Sequence, residues 1–236
     1  MINKDLMASL AQENNIALSA KALDQLDIYA DQLVQWNKKI NLTAITDPEE
    51  IVYKHFLDSL MLLKYIQLPE GASLIDVGTG AGFPGLVLKI ARPDLNITLL
   101  DGTQKRLKVI ADIEDKLGIT TQILHLRAEE GGRKPELRES FDYVTARAVT
   151  SMRNLSELCL CYVKLDGFFV PMKGKDVTDE LREASHSLHL NGGEVQKVIP
   201  YNIGEAGDRN IIIVKKTKLT PKKYPRPMAK IKRNPL

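Results

Sequence analysis

Cysteine is scarce in this chain: Cys159 and Cys161 are the only two among 236 residues. A structural zinc site takes four ligands, so two thiols cannot complete one, and both are read as small buried hydrophobes. Long apolar runs are absent, and no stretch approaches the length that spans a bilayer. The opening "MINKDLMASLAQENN" lacks a charged-then-apolar signal pattern, and a cytoplasmic protein is expected. Tryptophan occurs once, and Trp36 is read as core, not as a base-stacking platform. Acidic residues are missing from Arg209 to Leu236, where ten Lys or Arg stand without one Asp or Glu. Residues 1–208 therefore carry 23 basic against 30 acidic side chains, and the overall charge of +3 hides a basic end on an acidic body.

The remaining composition, 44% hydrophobic and 27% charged, is ordinary for a globular protein of one domain plus an appendage. Residues 1–68 read as a helical extension, with Asn3 and Ser19 as N-caps and Asp47-Pro48 starting a new helix. From residue 72 the rhythm becomes alternating strand and helix. "SLIDV", "NITLLD" (96–101), "TQILHL" (121–126), "FDYVTAR" (141–147) and "GFFVPM" (167–172) read as strands. Helices are expected from Pro84 to Ala91 and over 103–117, 151–163 and 176–189, with "EVQKVIP" and "RNIIIVKK" closing as an antiparallel pair. This alternation predicts a parallel sheet covered on both faces, over 69–216. Residues 217–236 read as a basic arm, packed on that domain or extending from it.

The densest signal is "DVGTGAGFPG", residues 76–85, with four glycines in eight positions. Gly80, Gly82 and Gly85 fit the dinucleotide spacing, while Gly78, Gly80 and Gly82 fit G-x-G-x-G with an acid two residues earlier. Spacing alone leaves both open. Charge separates them, because a dinucleotide's pyrophosphate would meet the carboxylate of Asp76 at the strand end. That carboxylate suits a cation, such as the amino group and sulfonium of S-adenosylmethionine. Asp101, which ends the second strand, is placed to accept from ribose hydroxyls, with helix N-capping as its alternative. "RAEE" (127–130) follows the third strand, where Ala128 and the backbone would meet a base.

"WNKKINLTAITDPEEIVYKHFLDSL" (36–60), "DVGTGAGFPG" (76–85), "LLDGTQKR" (99–106), "RAEE", "FDYVTARAV" (141–149) and the terminal "YPR…NPL" together resemble the RsmG (GidB) family of bacterial 16S ribosomal RNA methyltransferases. The resemblance covers nearly the whole chain. It implies a class I S-adenosylmethionine-dependent methyltransferase fold, Rossmann-like, with a seven-stranded mostly parallel sheet and the N-terminal helical extension. It implies methyl transfer to ring nitrogen seven of guanine 527, with 16S rRNA, the small subunit or an assembly intermediate as partner, and no membrane. The tail departs in lacking a glycine soon after "YPR". The cofactor positions carried over are Gly78, Phe83, Ala128, Glu129 and Arg147; the turn itself adds Asp76, Gly80 and Gly82, and the second strand's end adds Asp101 and Thr103.

The chemistry agrees by omission. Methylating carbon five of a pyrimidine uses a nucleophilic cysteine after a proline, and neither cysteine here follows one. "TARAV" stands where exocyclic-amine enzymes carry an Asn/Asp-Pro-Pro-aromatic motif. Ring nitrogen seven has an exposed lone pair, so proximity and orientation suffice without a general base. A guanidinium donating to that nitrogen would block it, so Arg147 is assigned to the cofactor or a phosphate. Lys173, Lys175, Arg209, Lys222, Lys223, Arg226, Lys230, Lys232 and Arg233 are the candidate RNA contacts. His55 and Asp58 read as a local contact between the helical extension and the sheet domain, and no metal and a monomer are expected. Two readings stand beside this one: a non-catalytic RNA-binding or assembly protein that keeps the fold, and a nicotinamide oxidoreductase. Asp76 and the lack of a Tyr-x-x-x-Lys pair weigh against the latter.

Overall fold

The computed structural model describes residues 1–236, apart from the side chain of Glu205. Seven strands form one sheet: β1 Ser73–Val77, β2 Asn96–Asp101, β3 Gln122–His125, β4 Phe141–Arg147, β5 Val163–Lys173, β6 Gly193–Asn202 and β7 Asp208–Lys216. Their order is β3-β2-β1-β4-β5-β7-β6, with β1 to β5 parallel and β7 antiparallel to both of its neighbours. The order reverses between β1 and β4, the switch point where doubly wound sheets hold ligands outside the strands' carboxyl ends.

The helical prelude is α1 Lys4–Glu13, α2 Ala20–Asn37, α3 Pro48–Ile51, a π-helical turn Val52–Leu57 and α4 Asp58–Tyr65. Asn3 and Ser19 accept from Leu6 and Ala22 N–H, and Asp47 accepts from Glu49 and Glu50 N–H ahead of Pro48, so each expected cap forms. The prelude packs with α5 Gly85–Ala91 and α6 Gln104–Leu117 on one face of the sheet, burying Met7, Leu26, Tyr29, Leu33, Phe56, Leu86 and Ile110. Gly118 ends α6 in the left-handed conformation, φ +60°, which glycine adopts without a Cβ penalty. The other face carries α7 Ala128–Gly131, α8 Met152–Cys159 and α9 Thr178–Leu190, packed on Leu155, Leu158, Tyr162 and Leu188. Cys159 and Cys161 are buried there.

The tail folds onto this second face and ends in α10 Met228–Arg233. Ile231 is fully buried, which contributes roughly 1.5–3 kcal/mol toward holding the arm in place. Arg138 donates to the carbonyls of Thr220 and Tyr224 at 2.6 and 2.9 Å, and Arg133 donates to that of Pro225 at 2.8 Å. Two of the ten cations between Arg209 and Leu236 are not on the open surface. Lys216 is fully buried, its ammonium donating to Leu160 O and Asn191 O beside Glu139. Arg226 pairs with Glu157 at 2.7 Å, and Glu157 is only 1% exposed. Sequence shows charge but not which cations have a buried acid waiting 69 residues upstream.

Candidate functional site

The glycine turn follows β1 directly. Gly78, Gly80 and Gly82 have φ of +77°, +62° and +104°, a region costly for side chains with a Cβ. A Cβ on Gly80 would approach no atom closer than the Gly78 carbonyl, 4.0 Å away, so space lies open above the turn. One on Gly85 would sit 2.3 Å from Leu99 Cδ2 and 3.0 Å from Asp76 Cβ, so that glycine serves close helix–strand packing. Asp76 does not lie on the open rim. It is fully buried, and its Oδ2 accepts from Thr79 Oγ1 at 2.7 Å and Gly85 N–H at 2.9 Å. Its Oδ1 has no partner among the described residues. Burial, relieved in part by those two hydrogen bonds, raises its pKa from 3.8 to about 7.

Asp101 ties two loops together. Its Oδ2 accepts from Gly80 N–H at 3.0 Å and its Oδ1 from Thr103 N–H at 2.7 Å. Thr103, exposed on the rim, is the residue that leads into α6. Arg127 lies across Gly102, where a Cβ would meet its Cδ at 2.7 Å. Ala128 opens α7, and its carbonyl accepts from Tyr162 Oη at 2.6 Å. Glu129 Oε2 is buried without a partner among the described residues. An open glycine cradle with Asp101 and Glu129 beside it and Asp76 buried beneath it, the last two each with an unspent buried oxygen, suits a ligand that brings a cation, hydroxyls and an amine. It disfavours phosphate. These residues fit S-adenosylmethionine.

At the end of β4, Arg147 is caged. Nη1 donates to Asp58 Oδ2 at 2.7 Å and Lys54 O at 3.1 Å, and Nη2 lies 3.3 Å from His55 Nδ1. The guanidinium carbon stands 5.1 Å above the Phe83 ring, whose other neighbours are Tyr29 and His55, stacked at 5.2 and 4.4 Å. Phe83 is thus floor, a residue only 6% exposed. Burial and the nearby Arg147 push His55 down to about 3, so it is neutral near pH 7. With Arg147 donating to Nδ1, the ring proton belongs on Nε2, which faces Thr43 Oγ1 at 2.9 Å. Asp58 also accepts from Tyr201 Oη at 2.7 Å, so it links the prelude to both β4 and β6, the joining role expected of it. Nε–H of Arg147 makes no hydrogen bond among the described residues and remains available to a ligand.

A cavity of about 320 Å³ opens beside this cage, lined by Lys54, His55, Asp58, Arg147, Ala148, Met172, Lys173, Tyr201 and Arg209, among others. Ala148 takes φ +56° although it is not glycine, a strained conformation at the carboxyl edge. Val149 then covers Gly78, whose Cβ would meet its Cγ2 at 2.8 Å. Lys173 is spent inside the protein, donating to Thr150 O at 3.0 Å and pairing with Glu180 at 2.7 Å, and its side chain is only 14% exposed. It is not the free phosphate contact expected. Lys175 is exposed beyond it, 3.6 Å from Asp208, and Arg209 lines the cavity. Lys222, Lys223, Lys230, Lys232 and Arg233 are exposed on the folded tail. Tyr201, Lys54 and Ala148 join the site without being among the expected residues. Lys54 adjoins His55 in "YKHFLDSL", but nothing local marks Tyr201 or the strain at Ala148.

A family model described as "rRNA small subunit methyltransferase G" matches residues 22–212. The ribosomal RNA small subunit methyltransferase G of Lachnoclostridium phytofermentans is 46% identical over 221 residues, 93% of this chain and 91% of that one. Its counterpart from Clostridium beijerinckii is 44% identical over 98% of each chain. Among solved structures, a SAM-dependent methyltransferase from Aquifex aeolicus superposes with a TM-score of 0.54 at 20% identity, covering 78% of this chain and 98% of its own. The YcgJ protein of Bacillus subtilis gives 0.55 at 15% identity, over 70% of this chain and all of its own. At these identities the structural likeness speaks to the fold, a class I methyltransferase sheet with its helices.

Proposed function

The chain belongs to the rRNA small subunit methyltransferase G family, and from that membership we propose that it is an enzyme moving a methyl group from S-adenosylmethionine to N7 of one guanine in 16S rRNA, position 527. The observation that carries the cofactor half is the cradle: an open glycine turn flanked by buried, unspent carboxylate oxygens at Asp76 and Glu129. Asp76, Gly78, Gly80, Gly82, the Phe83 main chain, Asp101, Thr103, Ala128 and Glu129 would hold the cofactor, which when bound supplies an electrophilic methyl on a sulfonium. Arg147, held by Asp58 and His55, would offer its Nε–H to the cofactor carboxylate or a substrate phosphate.

The cavity beside Arg147 is where the acceptor base would enter. N7 carries its own lone pair, so the protein need remove no proton, and the lack of a poised base at the cavity agrees. His55, neutral with its proton turned to Thr43, orients Arg147 and does not compete for one. The protein's contribution is alignment and exclusion of water, which can supply several kcal/mol of a barrier. Lys175, Arg209, Lys222, Lys223, Lys230, Lys232 and Arg233 would hold the RNA backbone. The protein acts as a monomer in the cytoplasm, on the small subunit or an assembly intermediate; no helix among the described residues is long and apolar enough to cross a membrane.

Tritiated S-adenosylmethionine, incubated with the protein and either naked 16S rRNA or 30S subunits from cells lacking the activity, tests this reading. Label in rRNA is expected. Tight cofactor binding without transfer would leave a non-catalytic assembly protein instead, and failure to bind the cofactor would refute the site itself.

A further inference from the structure

We propose that a second RNA-backbone surface lies on the prelude side of the carboxyl edge, formed by Lys38, Lys39, Lys105 and Lys108, on the face of the sheet opposite the basic tail. It rests on the rRNA-methyltransferase reading and extends the substrate footprint beyond the tail. Two elements bring the four lysines together. Gln25 on α2 donates to Leu117 O at the end of α6, while Trp36 further along α2 donates to Asp112 Oδ2, earlier in α6. The two helices therefore run in opposite senses, and the end of α2 rises toward the start of α6. Lys39 Nζ stands 4.7 Å over the Trp36 ring, and Lys108 is one turn before Asp112. Lys105 lies in the first turn of α6, two residues after Thr103 on the cofactor rim.

All four lysines are exposed. Among the described residues none takes part in an ion pair. The nearby acids are already engaged: Asp112 with Trp36 and Lys116, Asp31 with Gln35, and Asp101 with Gly80 and Thr103. Contrast Lys173 and Arg226, which sit on buried or half-buried carboxylates. Unpaired ammoniums on long stems, spread along two helix ends, match a polyanion with regularly spaced phosphates. Lys222, Lys223, Lys230, Lys232 and Arg233 lie on the other face, so an RNA segment touching both banks must cross the edge where β1, β2 and β4 end. That crossing places it over the glycine turn.

The test is rRNA binding by full-length K38Q/K39Q/K105Q/K108Q against wild type over a salt series, with cofactor affinity measured in parallel. Four lost phosphate contacts should make the plot of log affinity against log salt shallower by about three and weaken binding at least about tenfold near 0.1 M salt. Cofactor affinity should not change. K21Q/K164Q, at the opposite edge, should bind as wild type does, and the four-arginine variant should retain affinity. An unchanged salt slope in the glutamine variant, while wild type binds and methylates rRNA, overturns the proposal. Failure of wild type to bind rRNA overturns the functional reading, and this surface with it. Should the quadruple variant not fold, Lys105→Gln and Lys38→Gln singly decide, each lowering the slope by roughly 0.7–0.9.

Discussion

Replacing Asp76 by Asn separates a buried carboxylate that merely holds a turn from one that also meets the cofactor's cation. Burial raises the pKa of Asp76 from 3.8 to about 7. Each pH unit of displacement is worth about 1.4 kcal/mol, so ionising it in place opposes folding by up to roughly 4 kcal/mol. The native state holds this proton more tightly than the unfolded chain does. The protonated carboxyl's contribution is therefore fully present below about pH 4, falls as pH rises toward 7, and is gone above that. Asn keeps an acceptor for Thr79 Oγ1 and Gly85 N–H but cannot ionise. Denaturant unfolding across this range should show wild type losing stability relative to Asp76→Asn as pH rises, with the difference level above pH 7. A cationic ligand favours the carboxylate, so cofactor affinity of wild type should climb over the same window, by up to about tenfold per pH unit, with a proton released. Calorimetry in two buffers of different ionisation heat counts that proton. The variant should bind more weakly at pH 8 and show no such climb. Parallel pH profiles for the two proteins, in stability and in cofactor affinity, would refute the reasoning.

Further outcomes follow from the same contacts. Gly85→Ala forces a Cβ to within 2.3 Å of Leu99 Cδ2 and should destabilise by about 1–3 kcal/mol, lowering the melting temperature by several degrees. Asp58→Ala strands the largely buried Arg147 and should lose about 3–5 kcal/mol by denaturant unfolding, whereas Tyr201→Phe, removing one hydrogen bond to Asp58, should lose about 1. Arg226→Ala leaves Glu157 buried without its cation and should lower stability, while Lys222→Ala with Lys223→Ala should leave melting unchanged and reduce the salt dependence of rRNA binding. His55→Phe keeps the stack on Phe83 but removes the Nδ1 contact that orients Arg147 Nη2, so methyl transfer should slow more than rRNA affinity falls; equal loss of both would count against its positioning role.

Local signals fared best where the chemistry is local. The limits of β1, β2 and β4 fall where the apolar runs and their acids or arginine place them, and α6 ends at Leu117, the end of the expected helix over 103–117. The closing hairpin and the caps at Asn3, Ser19 and Asp47 are also local matters. β5 starts at Val163, four residues before the expected strand, because "VKLD" carries polar residues whose pairing is set by neighbours and not by pattern. Asp76 stands out by its place before the glycines, but period-two alternation does not show that its carboxylate is buried beneath the turn. Arg147 and Asp58 are 89 residues apart and Arg226 and Glu157 are 69, and no spacing rule reaches that far. Prolines and lysines leave open whether the tail packs on the domain or extends from it, and one buried isoleucine with a few arginine–carbonyl bonds folds it back.

The measurement that bears most directly on the whole account is nucleoside analysis of 16S rRNA after single-turnover reaction with the protein and labelled S-adenosylmethionine. One label per rRNA is expected, recovered as 7-methylguanosine, and it should be lost in a variant lacking Arg147. Label on a pyrimidine carbon or an exocyclic amine, or an unlabelled rRNA from protein that binds the cofactor tightly, would contradict it.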